Sequence, residues 1–515
     1  MRSDQAASQP LHTFNVPRRF LITLVAQTSK SAMSFLTGMI VARGLGPVEY
    51  GNLAFLLGSF AGLRLLLDMS TGQAFFTLAA QRQRGRSFYL YYGAWLLVAE
   101  ILLPVLVIVL LLPHDVVSVL WQGEARERVW LAFLASTMQY LFWPQLIQLG
   151  EVVRRTSTSQ FLTICISMLQ FLIVATMYVL HVLTLANFLA TTVFAFLAGS
   201  AFAFFLLPRP WHGDEPAEKL GTVVREFVTI CKPMAVSYLL QAIQGWAEVW
   251  LIQHYSGPRQ QAYYALGMQI SLIGLLATNA LQNIFWREVA EMEASGDDKK
   301  VHDTYLRTSR VLLFTAAAPV SFLILWAAPI VHLALGTQYV DATPAVAVLF
   351  LYPITQCLTT PVFVLYYAMR KTSVLAAVQS VTAILNIAFS YVVLSPDIGL
   401  SGGAMGMAVR IVLLAMLNFL ALEMWVCRRR NWRQDWPHRL RLMAVLLAIS
   451  LASRATGAAI AMKASALVAM AAGGAVFAIL VGLVFYHFPD WAGITVEMRD
   501  RYAGRMRQIL SGSRI

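Results

Sequence analysis

Apolar runs of about 20 residues, each long enough to cross roughly 30 Å of hydrocarbon as a helix, alternate along the chain with short polar turns. The pattern predicts fourteen spans, near 20–42, 50–79, 88–112, 129–150, 160–180, 184–207, 226–253, 262–287, 309–331, 344–369, 373–394, 400–427, 441–458 and 464–487. The boundary Ala42 to Gly51, ARGLGPVEYG, shows how such a turn is written. Arg43 ends one run, Gly44 and Gly46 permit positive φ, Pro47 lacks a backbone donor, and Glu49 and Tyr50 open the next. It reads as a helix-turn-helix connection at a membrane surface.

The turn has an echo. Gly46-Pro47 followed by Tyr50 recurs as Gly257-Pro258 followed by Tyr263; Gly123, before a charged turn and an apolar run, pairs with Gly336; Pro144 ahead of Arg154-Arg155-Thr156-Ser157 pairs with Pro361 ahead of Arg370-Lys371-Thr372-Ser373. Three matches in one order with slowly drifting offsets mark a duplication. The unit holds six spans, an even number, so both copies enter the membrane in one orientation and a pseudo-two-fold axis along the membrane normal relates them. The expected class is therefore an all-α polytopic membrane protein of about 14 helices: two six-helix lobes and two extra C-terminal helices. The organisation follows as an N-terminal segment 1–17, a lobe 18–207, an inter-lobe loop 208–225, a lobe 226–427, a basic loop with two added helices 428–487, and a tail 488–515.

Composition agrees. The 515 residues are 58% hydrophobic and 13% charged, with mean hydropathy +0.64, against about 25% charged in soluble domains. The polar N-terminus shows no cleavable signal pattern. Cys165, Cys231, Cys357 and Cys427 sit in or at the ends of apolar runs and read as small buried side chains, neither a disulfide framework nor a metal cluster.

Of 39 Lys and Arg, 29 fall in one set of alternate connections, 6 in the other and 4 within spans, which puts both termini in the cytoplasm. This distribution also removes nucleic acid as the partner behind the net charge of +13, because the cations are scattered over short juxtamembrane loops. Anionic lipid headgroups are the expected neighbours of Arg428, Arg429, Arg430 and Arg433.

ARGLGPVEYG after the first span, LALGTQYVDATPAVAVL after span nine and GLSGGAMGMAVR opening span twelve resemble the polysaccharide flippase family, bacterial exporters of lipid-linked O-antigen and exopolysaccharide units within the multidrug/oligosaccharidyl-lipid/polysaccharide exporter superfamily. The resemblance covers roughly residues 15 to 490. It implies a two-lobed transporter in the bacterial inner membrane that moves an undecaprenyl-pyrophosphate-linked oligosaccharide to the outer leaflet, alongside other polysaccharide-assembly proteins. His254 and Tyr255 stand where the first half has Arg43, so a role for that arginine is not duplicated.

Charge within the bilayer costs about 2.5 kcal/mol or more per residue, so intramembrane ionisable groups carry the information about a site. The candidates for a cleft are Lys30, in a polar stripe with Gln27, Ser31 and Ser34; Arg64 and Asp68, which share a helix face at i, i+4; Glu248, between Trp246 and Trp250; and Arg410, too deep to reach the surface. Arg64 suits a phosphate through its planar donors, or a self-contained pair with Asp68. Glu248 reads as an ion-coupling or latch residue, or as the partner of Lys30 or Arg410. Arg43 belongs at the outer mouth. Lys232, which can snorkel, and Glu100, ahead of Pro104, rank lower.

No nucleotide-binding loop, catalytic residue or metal site is written in the chain, and no cofactor is expected beyond a coupling ion, H+ or Na+. The leading function is a flippase working by alternating access through a cationic cleft. The alternatives are an ion-coupled drug/cation antiporter of the same superfamily, or a membrane-embedded polysaccharide polymerase or ligase, which the shortness of every outside connection disfavours.

Overall fold

The computed structural model describes residues 16–107, 111–153, 155–207, 216–232, 235–275, 289, 292–293, 297–369, 371–398, 401–462 and 465–493; side chains of 16–27, 80 and 273 lie outside the description. The described residues are almost wholly helical and contain no strand. Ten stretches are long and apolar enough to cross a membrane. One of them, Thr28–Asp68, takes in parts of two expected spans, and the chain is a multi-pass membrane protein.

The expected turn at 42–51 is not a loop. Helix α1 runs Val16–Asp68 and its backbone leaves helical geometry only at Gly46, with φ 75° and ψ 173°. Glycine takes this conformation without a Cβ penalty, and Pro47 then needs no donor as the first residue of the resumed helix. The second span ends at Asp68, not at 79: Met69 and Ser70 adopt φ of 40° and 74°, and α2 (Thr71–Gln81) is a separate helix. Next come α3 (Arg86–Leu106), with a π-helical centre at Leu96–Leu102, α4 (His114–Leu120), α5 (Arg126–Thr137), a π turn Met138–Phe142, α6 (Trp143–Val152), α7 (Thr156–Val179) and α8 (Leu185–Leu206).

The span expected at 226–253 divides. Amphipathic helix α9 covers Leu220–Cys231, and the long α10, Ala235–Ser271, carries the second kink at Gly257 (φ 79°, ψ 173°). After it come α11 (Asp298–Leu325), α12 (Ala327–Leu335), α13 (Thr343–Leu349), α14 (Tyr352–Ala368), α15 (Thr372–Leu394) and α16 (Gly403–Arg430). The expected spans 441–458 and 464–487 are α17 (Trp436–Ala461) and α18 (Ala466–His487). The part of the expected span 262–287 beyond 275 lies outside the described residues.

The backbone records the duplication independently of the sequence. Gly46 and Gly257 share dihedrals within 4°. Gly123 and Gly336 both take positive φ, 78° and 89°. Arg155 (φ −93°, ψ 40°) and Lys371 (φ −100°, ψ 39°) end the connections into α7 and α15 in the same conformation. Arg154 and Arg370, the other members of that match, are outside the described residues.

The halves meet along α1 and α10, the most extensive packing between helices in the molecule. At the Gly46 end the approach is backbone to backbone: a Cβ on Gly51 would sit 1.8 Å from the Pro258 carbonyl oxygen. Tyr50 donates to Gln269 Oε1 at 3.0 Å, Gln253 to Asn52 at 3.0 Å, and Tyr339 to the Ala42 carbonyl at 2.8 Å, so side-chain hydrogen bonds join the two halves at this crossing. Further from the kink the contact passes through Gly58 against Val249 and Gly62 against Trp246.

Gly51→Ala should therefore lower the thermal midpoint in detergent, by the equivalent of about 1–3 kcal/mol for an overpacked site. Gly245→Ala, where nothing lies within 4 Å of the added carbon, should leave it unchanged or raise it.

Candidate functional site

In the N-terminal half the chemistry gathers at the end of α1 remote from Gly46. Asp68 Oδ1 accepts hydrogen bonds from the Thr71 hydroxyl and the Gly72 N–H, both 2.9 Å, bridging the left-handed pair Met69-Ser70. Asp68 is thus occupied in tying the start of α2 to the end of α1, as short acceptor side chains do at helix starts. Arg64, one turn earlier, makes no hydrogen bond or ion pair among the described residues, and its Nε is buried.

Arg64 lines two cavities. One, of about 400 Å³, is bounded by Leu57, Gly58, Ala61, Asp68 and Tyr140. The other, about 20 Å³, is bounded by Glu100, Ser136 and Thr137 and has room for about one water. Glu100 is 3% exposed, and neither carboxylate oxygen has a hydrogen-bond partner among the described residues. Its place in the π-helical centre of α3 turns it into this cavity rather than toward lipid. The arrangement pairs Arg64 spatially with Glu100, a residue ranked low in the sequence, while Asp68 serves the backbone.

In the C-terminal half the candidates neutralise each other. Arg410 is 3% exposed; its Nη2 lies 2.9 Å from Glu248 Oε1, and its Nη1 donates to Asn386 Oδ1 at 2.8 Å and to the Asn386 carbonyl at 3.2 Å. The Tyr264 hydroxyl donates to the same Glu248 oxygen. Of the two partners open to Glu248 in the sequence, Arg410 is the one it meets. Lys30 is exposed on α1 with no ion pair among the described residues; Ser34 is exposed beside it, and the Gln27 side chain lies outside the described residues. Arg43 donates to the Leu333 carbonyl and its own carbonyl accepts from Gln338 at 3.1 Å, so it joins the two halves at the Gly46 corner. Lys232 is exposed at the end of α9.

Two charge clusters that the sequence does not announce hold the frame. Arg84, its side chain 2% exposed, meets Glu218 at 3.0 Å and Glu226 at 2.7 Å, with Arg82 on the same pair, and this clamps α9 to the α2–α3 connection. Arg439 of α17 grips Glu423 of α16 at 2.6 and 2.8 Å, the Tyr305 hydroxyl adds a bond at 2.7 Å, and the added helix pair is tied to the C-terminal half. Of the four cations expected beside lipid headgroups, Arg430 is engaged by Glu293 and Asp298, while Arg428, Arg429 and Arg433 are exposed. All four cysteines are free, and no group of three His, Cys, Asp or Glu fit for a metal occurs among the described residues.

A family model described as polysaccharide biosynthesis protein matches residues 16–283. The chain belongs to that family. The matched span runs from the start of α1 past α10, the two helices that form the crossing. Among solved structures, the lipid II flippase MurJ in an inward closed conformation is similar at TM-score 0.62 and 13% identity, over 90% of this chain and 99% of that one. A multidrug resistance MATE family transporter of the MOP superfamily, inward-facing, aligns at TM-score 0.56 and 13% identity, over 80% and 99%. At these identities the likeness shows that this family member has the fold of those transporters. No curated protein matches the chain.

Since Arg410 and Glu248 form a buried pair, Arg410→Ala in this family member should cost about 3–5 kcal/mol in detergent unfolding by stranding the carboxylate. Arg410→Met combined with Glu248→Gln should recover much of the loss, which removal of a free cleft cation would not need.

Proposed function

We propose that this chain is a flippase that carries a polyprenyl-pyrophosphate-linked oligosaccharide across the bacterial cytoplasmic membrane for surface polysaccharide assembly. The lobes 18–207 and 226–427 rock about the α1–α10 crossing, and 428–487 adds a helix pair to the second lobe. With both termini in the cytoplasm, the Gly46 corner is the outer side. The close packing of α1 on α10 there fits an inward-facing state, in which the Arg64 cavity is reached from the cytoplasm.

The observation that carries the reading is Arg64: a guanidinium with no hydrogen bond or ion pair among the described residues, on the wall of a 400 Å³ cavity. An arginine kept unpaired at membrane depth is expensive unless an anion visits it, and its planar donors suit a phosphate. Lys30, exposed on the same helix, adds a second cation toward the cytoplasmic end. The polyprenyl tail stays in lipid while the head group enters between the lobes. Anionic lipids neighbour Arg428, Arg429 and Arg433, and the surrounding partners are other polysaccharide-assembly proteins.

One observation favours the alternative of an ion-coupled drug/cation antiporter: Glu100, buried and unpartnered, is a place where a proton or Na+ would bind. In the flippase reading the same carboxylate supplies ion coupling, because protonation or an ion discharges it while Arg64 is turned to phosphate.

The deciding measurement is transfer of a fluorescent lipid-linked oligosaccharide in reconstituted vesicles. Wild type should exceed protein-free vesicles, and Arg64→Ala should weaken apparent affinity about 10- to 100-fold, the loss of about 1.5–3 kcal/mol in hydrogen bonds to a charged group. Transfer no faster than in protein-free vesicles would reject the function. Glu100→Gln should flatten the dependence of transfer on the ion gradient while leaving the fold intact.

A further inference from the structure

A further polar cavity, of about 200 Å³, lies in the C-terminal half, walled by α10, α14, α15 and α16. Its lining is rich in neutral amides: Gln241 and Gln244 on α10, Gln356 on α14, Gln379 on α15 and Asn418 on α16. Amides inside a helical membrane protein ordinarily serve as glue between helices. Here the two asparagines of the lining do that work: Asn418 Oδ1 accepts from Thr382 at 3.2 Å, and Asn386 Oδ1 accepts from Arg410 at 2.8 Å. Gln244, Gln356 and Gln379 are half-buried and their side chains make no hydrogen bond among the described residues. Three such amides converging on one cavity point to a ligand that both donates and accepts.

Charge narrows the class. The nearby Arg410 is matched by Glu248, so the cavity offers neutral donors and acceptors and no net attraction for an ion. An amide pairs its N–H and C=O with two hydroxyls at once, which fits the vicinal hydroxyls of a sugar. The Tyr352 ring on the same wall supplies an apolar face for the C–H side of a pyranose. The volume suits a sugar ring rather than one water. Gln244 lies about 20 Å along α10 from Gly257 and Arg64 about 27 Å along α1 from Gly46, so the two cavities sit at comparable depth on either side of the crossing.

We infer that the amide-lined cavity of the C-terminal half is a glycan subsite that binds an uncharged sugar residue of the cargo while Arg64 in the N-terminal half takes the phosphate. This rests on the flippase reading and adds to it a division between the lobes: charge on one side, hydroxyls on the other. Selection among cargoes by their sugars then resides in α10, α14, α15 and α16.

The test separates binding from transfer. The full-length protein in detergent is titrated calorimetrically with the phosphate-free glycan released by mild acid from the host's own surface polysaccharide. Wild type should bind it. Gln356→Met with Gln379→Met, which conserves side-chain volume, should weaken binding at least tenfold with an unchanged melting temperature. Ala415→Phe, which fills the cavity while leaving every amide residue in place, should do the same. A Gln379→Cys variant should react with a maleimide more slowly when the glycan is present. Failure of wild type to bind the glycan, or binding unchanged in both cavity variants, overturns the subsite, even where vesicle transfer is normal. Absence of vesicle transfer with glycan binding intact rejects the flippase reading and leaves the subsite standing.

Discussion

Everything in this molecule depends on the crossing of α1 and α10 near their kinks, where Gly51 lets backbone touch backbone at Pro258. Helices in hydrocarbon gain little from burying apolar side chains against each other, so association rests on close packing and on polar groups satisfied between them. The crossing has both: glycines at 51, 58 and 62 for approach, and Tyr50–Gln269 and Gln253–Asn52 for bonding. The Arg64 cavity and the amide-lined cavity both lie along these helices away from their kinks.

The ionisable groups at membrane depth then sort by whether the protein answers them. Arg410 with Glu248, and Arg439 with Glu423, are closed pairs whose members would be costly to strand and are therefore structural. Arg64, Glu100 and the Gln244, Gln356 and Gln379 side chains of the amide cavity make no hydrogen bond among the described residues. The first group fixes the shape of the second lobe and its attached helices. The second is where chemistry from outside the protein has room to act.

The fold was largely legible in the sequence because its signals are local. Apolar run length marks spans, and the Gly-Pro doublets at 46 and 257 mark the two kinks. The boundaries that went astray lie where breaks interrupt runs that hydropathy reads as continuous: Asp68 caps the start of α2 after the Met69-Ser70 break, and α9 ends at Cys231 ahead of α10. The site was legible in part. Lys30, Arg64, Asp68, Glu248, Arg410 and Glu100 stood out as charges in apolar runs, yet spacing along one helix cannot say which charge on another helix will answer it. Arg64 and Asp68 looked like a pair at i, i+4 and are employed separately. The glutamines left a weaker trace, Gln241 and Gln244 at i, i+3 and Gln379, Thr382 and Asn386 at i, i+3, i+7, visible only once amides are counted alongside charges.

The clamp on α9 has a mechanical consequence. Arg82 and Arg84 hold Glu218 and Glu226, and Val223 packs with Phe75, Phe88 and Tyr92, so the helix linking the two halves belongs to the first. Only three residues separate Cys231 from Ala235, and four steps of chain reach about 14 Å at full extension. The near end of α10 is therefore on a short leash. In the proposed rocking, the amplitude of the second half is taken up far from this point, as a door swings widest at the edge opposite its hinge.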